Sequence, residues 1–204
     1  MTTPSEVAKF SIIGTAGRSK DPNEQMSADL YYKMIATAIE AINICSAKSV
    51  ILVSGGAAWS DHVAVDLFLN RTRYPLKVPI IGLELHLPGN LDLNTGRYVD
   101  TGSNDWRSNP GRTSNYYHEK FSSSLGDTNR AFHELVLAVK NGAKIAAYNG
   151  FHDRNIPVAY SNFMLAFTWG RQEPEDGGTL HTWNQAAKSN CKRLHVSLYD
   201  LKAA

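Results

Sequence analysis

The sequence predicts an α/β fold in three layers, a mostly parallel sheet with helices on both faces. Short apolar or β-branched runs recur along the chain, and stretches with helical spacing alternate with them. Glycine turns stand where a run gives way to such a stretch, at Gly14, at Gly55-Gly56 and at Gly177-Gly178. Strands that alternate with helices are joined by crossovers rather than hairpins, and crossovers make a parallel sheet. At 204 residues the chain has the length of one well-buried domain, taken here as 1–204.

Phe10-Ser11-Ile12-Ile13-Gly14-Thr15 reads as the first strand, and Ala16-Gly17-Arg18 extends its closing turn. The glycine spacing is GxxG rather than the GxGxxG dinucleotide fingerprint, and no acidic ribose clamp follows at the expected distance. An ordinary NAD-dependent enzyme is therefore disfavoured. Arg18 is either a surface cation or a charge held over this turn for a phosphate. From Ser27 to Ala47, Leu30, Met34, Ile35, Ala38, Ile39 and Ile42 recur at helical intervals, with Ser27 as N-cap. Ser49-Val50-Ile51-Leu52-Val53 is apolar throughout, as a strand covered on both faces must be. The turn Ser54-Gly55-Gly56-Ala57 then leads to a helix starting near Ser60 or Asp61. Asp61 is equally a cap for that helix and a ligand-side carboxylate.

Val78 to Leu85 gives a third strand, after which apolar periodicity disappears until about residue 128. The segment 88–127 is rich in Asn, Ser, Gly and Thr yet carries Trp106, Tyr116, Tyr117 and several arginines. A disordered loop seldom holds so many aromatics, so this insertion reads as a lid over a site or a contact in a homo-oligomer, the alternative being an insertion whose aromatics pack onto its own domain. Thr128 to Asn141 returns to helical spacing and stops at Gly142. Gly150 to Asn155 reads as a polar turn, Phe163 to Thr168 as a strand closed by Trp169-Gly170, and Leu180 to Ser189 as a helix. Leu194 to Tyr199 supplies the last strand.

Two glycine pairs are ordinary loop punctuation when taken singly, but their matched contexts point to an anion site. Gly177 and Gly178 carry no Cβ to hold a phosphate away, Thr179 adds a hydroxyl, and the following helix turns its positive end to the same spot. The formal net charge of +2 is small and dispersed, which argues against a nucleic-acid surface and for a small anionic ligand. Cys45 and Cys191 have no CxxC spacing, so a reducing cytoplasm is the expected compartment. The N-terminus shows no basic region followed by an apolar stretch, and no run reaches membrane-span length. No HxxxH, HExxH, GxSxG or Walker loop is present, so neither a metal, a cofactor, an esterase elbow nor a P-loop is expected.

Taken in order, Ile12-Ile13-Gly14-Thr15-Ala16-Gly17-Arg18, Ser54-Gly55-Gly56-Ala57 with Asp61, Arg154-Asn155, and Leu165-Ala166-Phe167 with Gly177-Gly178-Thr179 resemble the SLOG superfamily. This Rossmann-like group includes the lonely-guy phosphoribohydrolases and the DNA-processing protein A fold. The resemblance covers most of the chain apart from 88–127. It implies that both glycine turns bind a nucleotide or a nucleotide-derived molecule, and that some members cleave the base–ribose bond of a nucleoside monophosphate. On that pattern Gly14, Thr15, Gly17, Arg18, Ser54, Gly55, Gly56, Ala57, Asp61, Arg154, Asn155, Gly177, Gly178 and Thr179 form the ligand-binding set, with Asn155 on ribose or base. The lonely-guy pattern places a glutamate on the helix after its glycine-threonine turn, and Thr182 stands there instead. An oxocarbenium-like state needs a nearby carboxylate. The remaining candidates for acid–base work are Asp61, Asp153, Asp176, His152, His181 and, on the insertion, Glu119, with satisfied polar loop residues as the plainer reading of the histidines. The expected ligand is a nucleoside monophosphate or ADP-ribose-like molecule, hydrolysed by the protein or held by it as a non-catalytic sensor.

Overall fold

In the computed structural model, residues 5–204 are described. The start of the stretch read as lacking a leader, residues 1–4, lies outside them. Six strands, β1 (Ser5–Gly14), β2 (Ala47–Ser54), β3 (Ile80–Leu87), β4 (Lys144–Ala147), β5 (Phe163–Thr168) and β6 (Lys192–Ser197), form one sheet in the order β4-β3-β2-β1-β5-β6. Every pairing is parallel. Helices α1 (Ala28–Ile44), α2 (His62–Leu69), α3 (Pro110–Ser124) and α4 (Arg130–Lys140) supply one layer, and α5 (Phe151–Ala159) and α6 (Gly177–Ala186) the other. A short helix, α7 (Leu198–Ala203), returns to the first layer through Leu198. This is the Rossmann-like three-layer arrangement.

Side chains along the central strands alternate between two cores, as a pleated strand requires. Ile12, Leu52, Leu165 and Phe167 face α1, α2 and α4, whereas Ile13, Val53, Met164 and Ala166 face Val158 of α5 and Trp183 of α6. The continuous apolar runs of β2 and β5 follow from burial on both faces. α1 opens where its sequence says it should, with the Ser27 hydroxyl accepting the Leu30 N–H at 3.2 Å.

Several elements differ from the sequence reading. The 88–127 segment contains α3, whose N-cap Asn109 accepts the Arg112 N–H and whose first residue is Pro110. Its inward positions are Ser114, His118 and Phe121, so helical spacing persists although two of the three side chains are polar. Phe121 packs against Tyr31 and Trp59, and Tyr98 is fully covered, so the segment is built into the first core. The predicted polar turn at Gly150 to Asn155 is the start of α5, entered at Gly150 with φ +100 and running through Pro157. β4 has only four residues and no buried side chain, and its short run Ile145-Ala146-Ala147 is too brief to mark a strand. α6 opens at Gly177 rather than Leu180, placing both glycines in its first turn. Leu198 and Tyr199 belong to α7 rather than to the last strand. Among the described residues no helix is long and apolar enough to cross a membrane.

Candidate functional site

Along the sheet β1 is flanked by β2 and β5, and the chain leaves the carboxyl ends of β1 and β5 toward opposite faces. Such a switch point opens a crevice, and open α/β sheets use it for ligands. Here it forms a cavity of about 810 Å³. One wall is the β1 turn, Gly14, Thr15, Ala16 and Arg18; another is α5, with Phe151, His152, Arg154 and Asn155. The first turn of α6, Asp176 to Thr179, forms the floor.

That floor is an uncapped helix start. Asp176 occupies the N-cap position in extended conformation, but its carboxylate makes no capping bond. Gly177 has φ +63, a conformation that favours glycine. Among the described residues the N–H groups of Gly177, Gly178 and Thr179 meet no protein acceptor, as the first N–H groups of a helix do unless something caps them. Side chains fix the turn from behind. Asn155, buried, donates from Nδ2 to the Gly178 carbonyl at 3.2 Å, and the Thr182 hydroxyl donates to the same oxygen at 2.8 Å. The Thr179 hydroxyl donates to the Gly14 carbonyl at 2.9 Å, so it ties α6 to the β1 turn rather than offering a donor to a ligand.

The upstream glycine turn is occupied differently from the sequence expectation. Ser54 Oγ accepts the Gly56 N–H at 3.0 Å and donates to the Asp61 carbonyl at 2.9 Å. A Cβ on Gly55 would lie 1.4 Å from Arg154 Nη1, and one on Gly56 would lie 2.4 Å from a methyl of Leu87. Tyr98 closes the turn further by donating its hydroxyl to the Gly56 carbonyl at 2.6 Å. The turn does receive a negative group, but that group is the protein's own. Asp61 Oδ2 accepts from the Ala57 N–H at 3.5 Å and from Arg154 Nη1 at 3.1 Å. Ser54, Gly55 and Gly56 therefore lie beneath the site, and only Ala57 and Asp61 reach the cavity wall. The glycines are needed because a cation and a leucine fill the space a Cβ would take. Burial pushes the Asp61 carboxyl pKa up, with Arg154 pulling the other way.

The remaining candidates separate cleanly. Gly17, at φ +76, lies against the Trp59 indole, and its N–H donates to the Thr15 hydroxyl at 3.1 Å. Arg18 stands 5.3 Å from the Tyr117 ring and 5.2 Å from the Phe151 ring, within cation–π range of both. His152 lines the cavity, exposed, with its ring 5.2 Å from that of His181. Burial, then the neighbouring His152, lowers the His181 pKa. Asp153 points to solvent off the cavity wall, and Glu119 is paired with Arg97 at 2.6 Å away from it. Asp61 and His152 are thus the two acid–base candidates that the fold brings to the cleft, with Asp176 at its floor.

No protein-family model matches the chain. It is 31% identical over 195 residues to "Uncharacterized protein R261" of Acanthamoeba polyphaga mimivirus, across 94% of this chain and 97% of that protein. The chain belongs to the same family as R261. In this R261-family chain the sequence reading missed the cavity's far wall, made by Trp169, Gly170, Arg171, Glu175, Tyr199 and Glu24. Glu24 ends a 3₁₀ turn, Pro22–Glu24, opened by Asp21 and Pro22, and its carboxylate accepts the Tyr199 hydroxyl. The Asp-Pro pair is a readable turn signal, but nothing local says that it folds across to a C-terminal helix.

Proposed function

We propose that this protein binds a nucleotide or nucleotide-derived ligand in the cleft, with its phosphate against the first turn of α6. The carrying observation is the uncapped α6 start, glycine-lined, at the switch point of a parallel sheet, in a cavity also lined by Arg18 of the β1 turn and Arg154 of α5. Arg154 already has Asp61 as a partner, whereas Arg18, near the rings of Tyr117 and Phe151, makes no ion pair among the described residues and is a cation available to phosphate. The SLOG resemblance agrees with this reading, since its ordered motifs fall at this end of the sheet. Asn155 acts through the Gly178 carbonyl and so shapes the phosphate turn.

Retention without cleavage, as in a sensor or sequestering protein, fits Thr182 in place of a helix carboxylate: its hydroxyl is spent on the Gly178 carbonyl. Hydrolysis of the base–ribose bond is the second reading, and one observation favours it. Asp61 lines the cavity with a raised pKa, which suits a carboxyl that protonates a departing base. Thermal-shift screening of nucleoside monophosphates, diphosphates and ADP-ribose tests binding, and assay of the stabilising ligand for free base and released phosphate tests turnover. A panel in which no nucleotide moves the melting temperature defeats the proposal; binding without products removes the hydrolase.

A further inference from the structure

We propose that the ligand of this cleft is a dinucleotide, two bases joined through phosphates, and that the 88–127 segment provides the platform for its second base. The inference rests on the nucleotide-binding reading above and adds to it the class of nucleotide. Beside the main cavity lies a second hollow of about 440 Å³, lined by Arg18, Trp106, Arg112, Thr113, Tyr116 and Tyr117. Arg18 and Trp106 line both spaces, so the two are neighbours. Trp106 and Tyr116 are 40% and 50% exposed, each with one cation near its ring, Arg107 at 4.7 Å and Lys120 at 4.5 Å, whereas Tyr98 and Phe121 of the same segment are buried. Trp106 is tilted against Phe151 of α5, with ring centroids 6.1 Å apart, so it stands next to the cleft. Arg112 is braced by the Asn104 side chain at 2.6 Å and by Asp100 at 3.9 Å, which fixes a guanidinium on the same shelf.

The opposite end of the main cavity is also aromatic. Trp169 and Tyr199 line it, with their rings 5.1 Å apart. Strand order separates the two platforms: Phe151, and Trp106 beside it, follow β4 at one end of the sheet, while Trp169 follows β5 and Tyr199 follows β6 at the other. The β1 turn, with Arg18, lies between them, and the α6 start, which follows β5, is tied to that turn by the bond from Thr179 to the Gly14 carbonyl. The order ring platform, anion site, ring platform matches a molecule with a base at each end and phosphates in the middle. A mononucleotide leaves one platform empty. Aromatic stacking of a base contributes about 1–3 kcal/mol, which is about fivefold to 150-fold in affinity for the second base.

Isothermal titration of the full chain with ADP, ADP-ribose and diadenosine diphosphate tests this, adenine serving as the probe base. The expected result is that diadenosine diphosphate binds at least about tenfold tighter than ADP-ribose. Tyr116→Ala should erase that preference and leave ADP affinity unchanged, because Tyr116 lines only the outer hollow. Trp106→Ala should erase it too, and each variant's melting temperature checks that the fold is kept. Equal affinities for the one-base and two-base ligands, or a Tyr116→Ala loss shared equally by ADP, overturn the second subsite while nucleotide binding stands. Failure of all three ligands to bind overturns both readings together.

Discussion

Arg154 reaches from α5 to lie 3.1 Å from Asp61 at the start of α2, and its Nη1 fills the space that a Cβ on Gly55 would need. The two side chains are 11% and 3% exposed. The next residue, Asn155, holds the Gly178 carbonyl of α6. Two adjacent residues of one helix thus brace both glycine turns.

Arg154→Met should leave Asp61 buried without its cation. Removing one member of a buried pair costs about 3–5 kcal/mol, whereas removing both is far milder. Chemical denaturation should show a large loss for Arg154→Met, and partial recovery in the Arg154→Met, Asp61→Asn double variant. Similar stabilities for the single and double variants would mean that the pair is not coupled.

Thr179→Val keeps the shape of the side chain and deletes the bond to the Gly14 carbonyl. A net loss of about 1 kcal/mol is expected, the usual value of one hydrogen bond, with a larger penalty if the carbonyl stays dry. Nucleotide affinity should change little, because the hydroxyl faces Gly14. A large loss of affinity with unchanged stability would reassign Thr179 to the ligand.

How much of this was legible depended on whether the determining contacts were local. Leu30 to Ile42, Val50 to Val53 and Met164 to Phe167 declare themselves because each is buried along its full periodic stripe. Ser114, His118 and Phe121 keep the same spacing in α3 but satisfy it with polar groups, so hydropathy could not show the helix. Gly177-Gly178 was readable as a glycine turn opening a helix from its position alone. Gly55-Gly56 has the same local chemistry, and only the distant Arg154, Leu87 and Tyr98 give it a different occupant. The far wall depends on Glu24 meeting Tyr199, a contact between the two ends of the chain.

Acid should destabilise the fold through His118. Burial, then the nearby His62, lowers its pKa from 6.5 to about 3, and its Nδ1–H donates to the Ser114 carbonyl at 2.8 Å. Between those two values the unfolded chain takes up a proton at this residue that the folded chain refuses. Stability is therefore complete above about pH 6.5 and falls as pH drops toward 3, at up to about 1.4 kcal/mol per pH unit for this one group. His118→Gln should flatten that acid limb in denaturation curves taken from pH 7 to pH 4. An unchanged slope would place the acid sensitivity elsewhere.

Gly178→Asp tests the floor of the cleft. A Cβ at Gly178 meets only the Asn155 amide, at 3.4 Å, so the backbone tolerates the change with a small shift of that side chain. The new carboxylate would stand at the α6 start beside unpartnered N–H groups, where a negative charge is favoured by about 0.3–1 kcal/mol and stability should hold or rise. The same charge occupies the place proposed for the ligand's phosphate, so nucleotide affinity should fall by about two orders of magnitude or more, as the direct anion contact gives way to repulsion. Gly178→Ala, which adds bulk without charge, separates the two effects and should lose far less. Titration of both variants with the ligand that stabilises the wild type makes the comparison, and equal losses would show that space rather than charge governs the site.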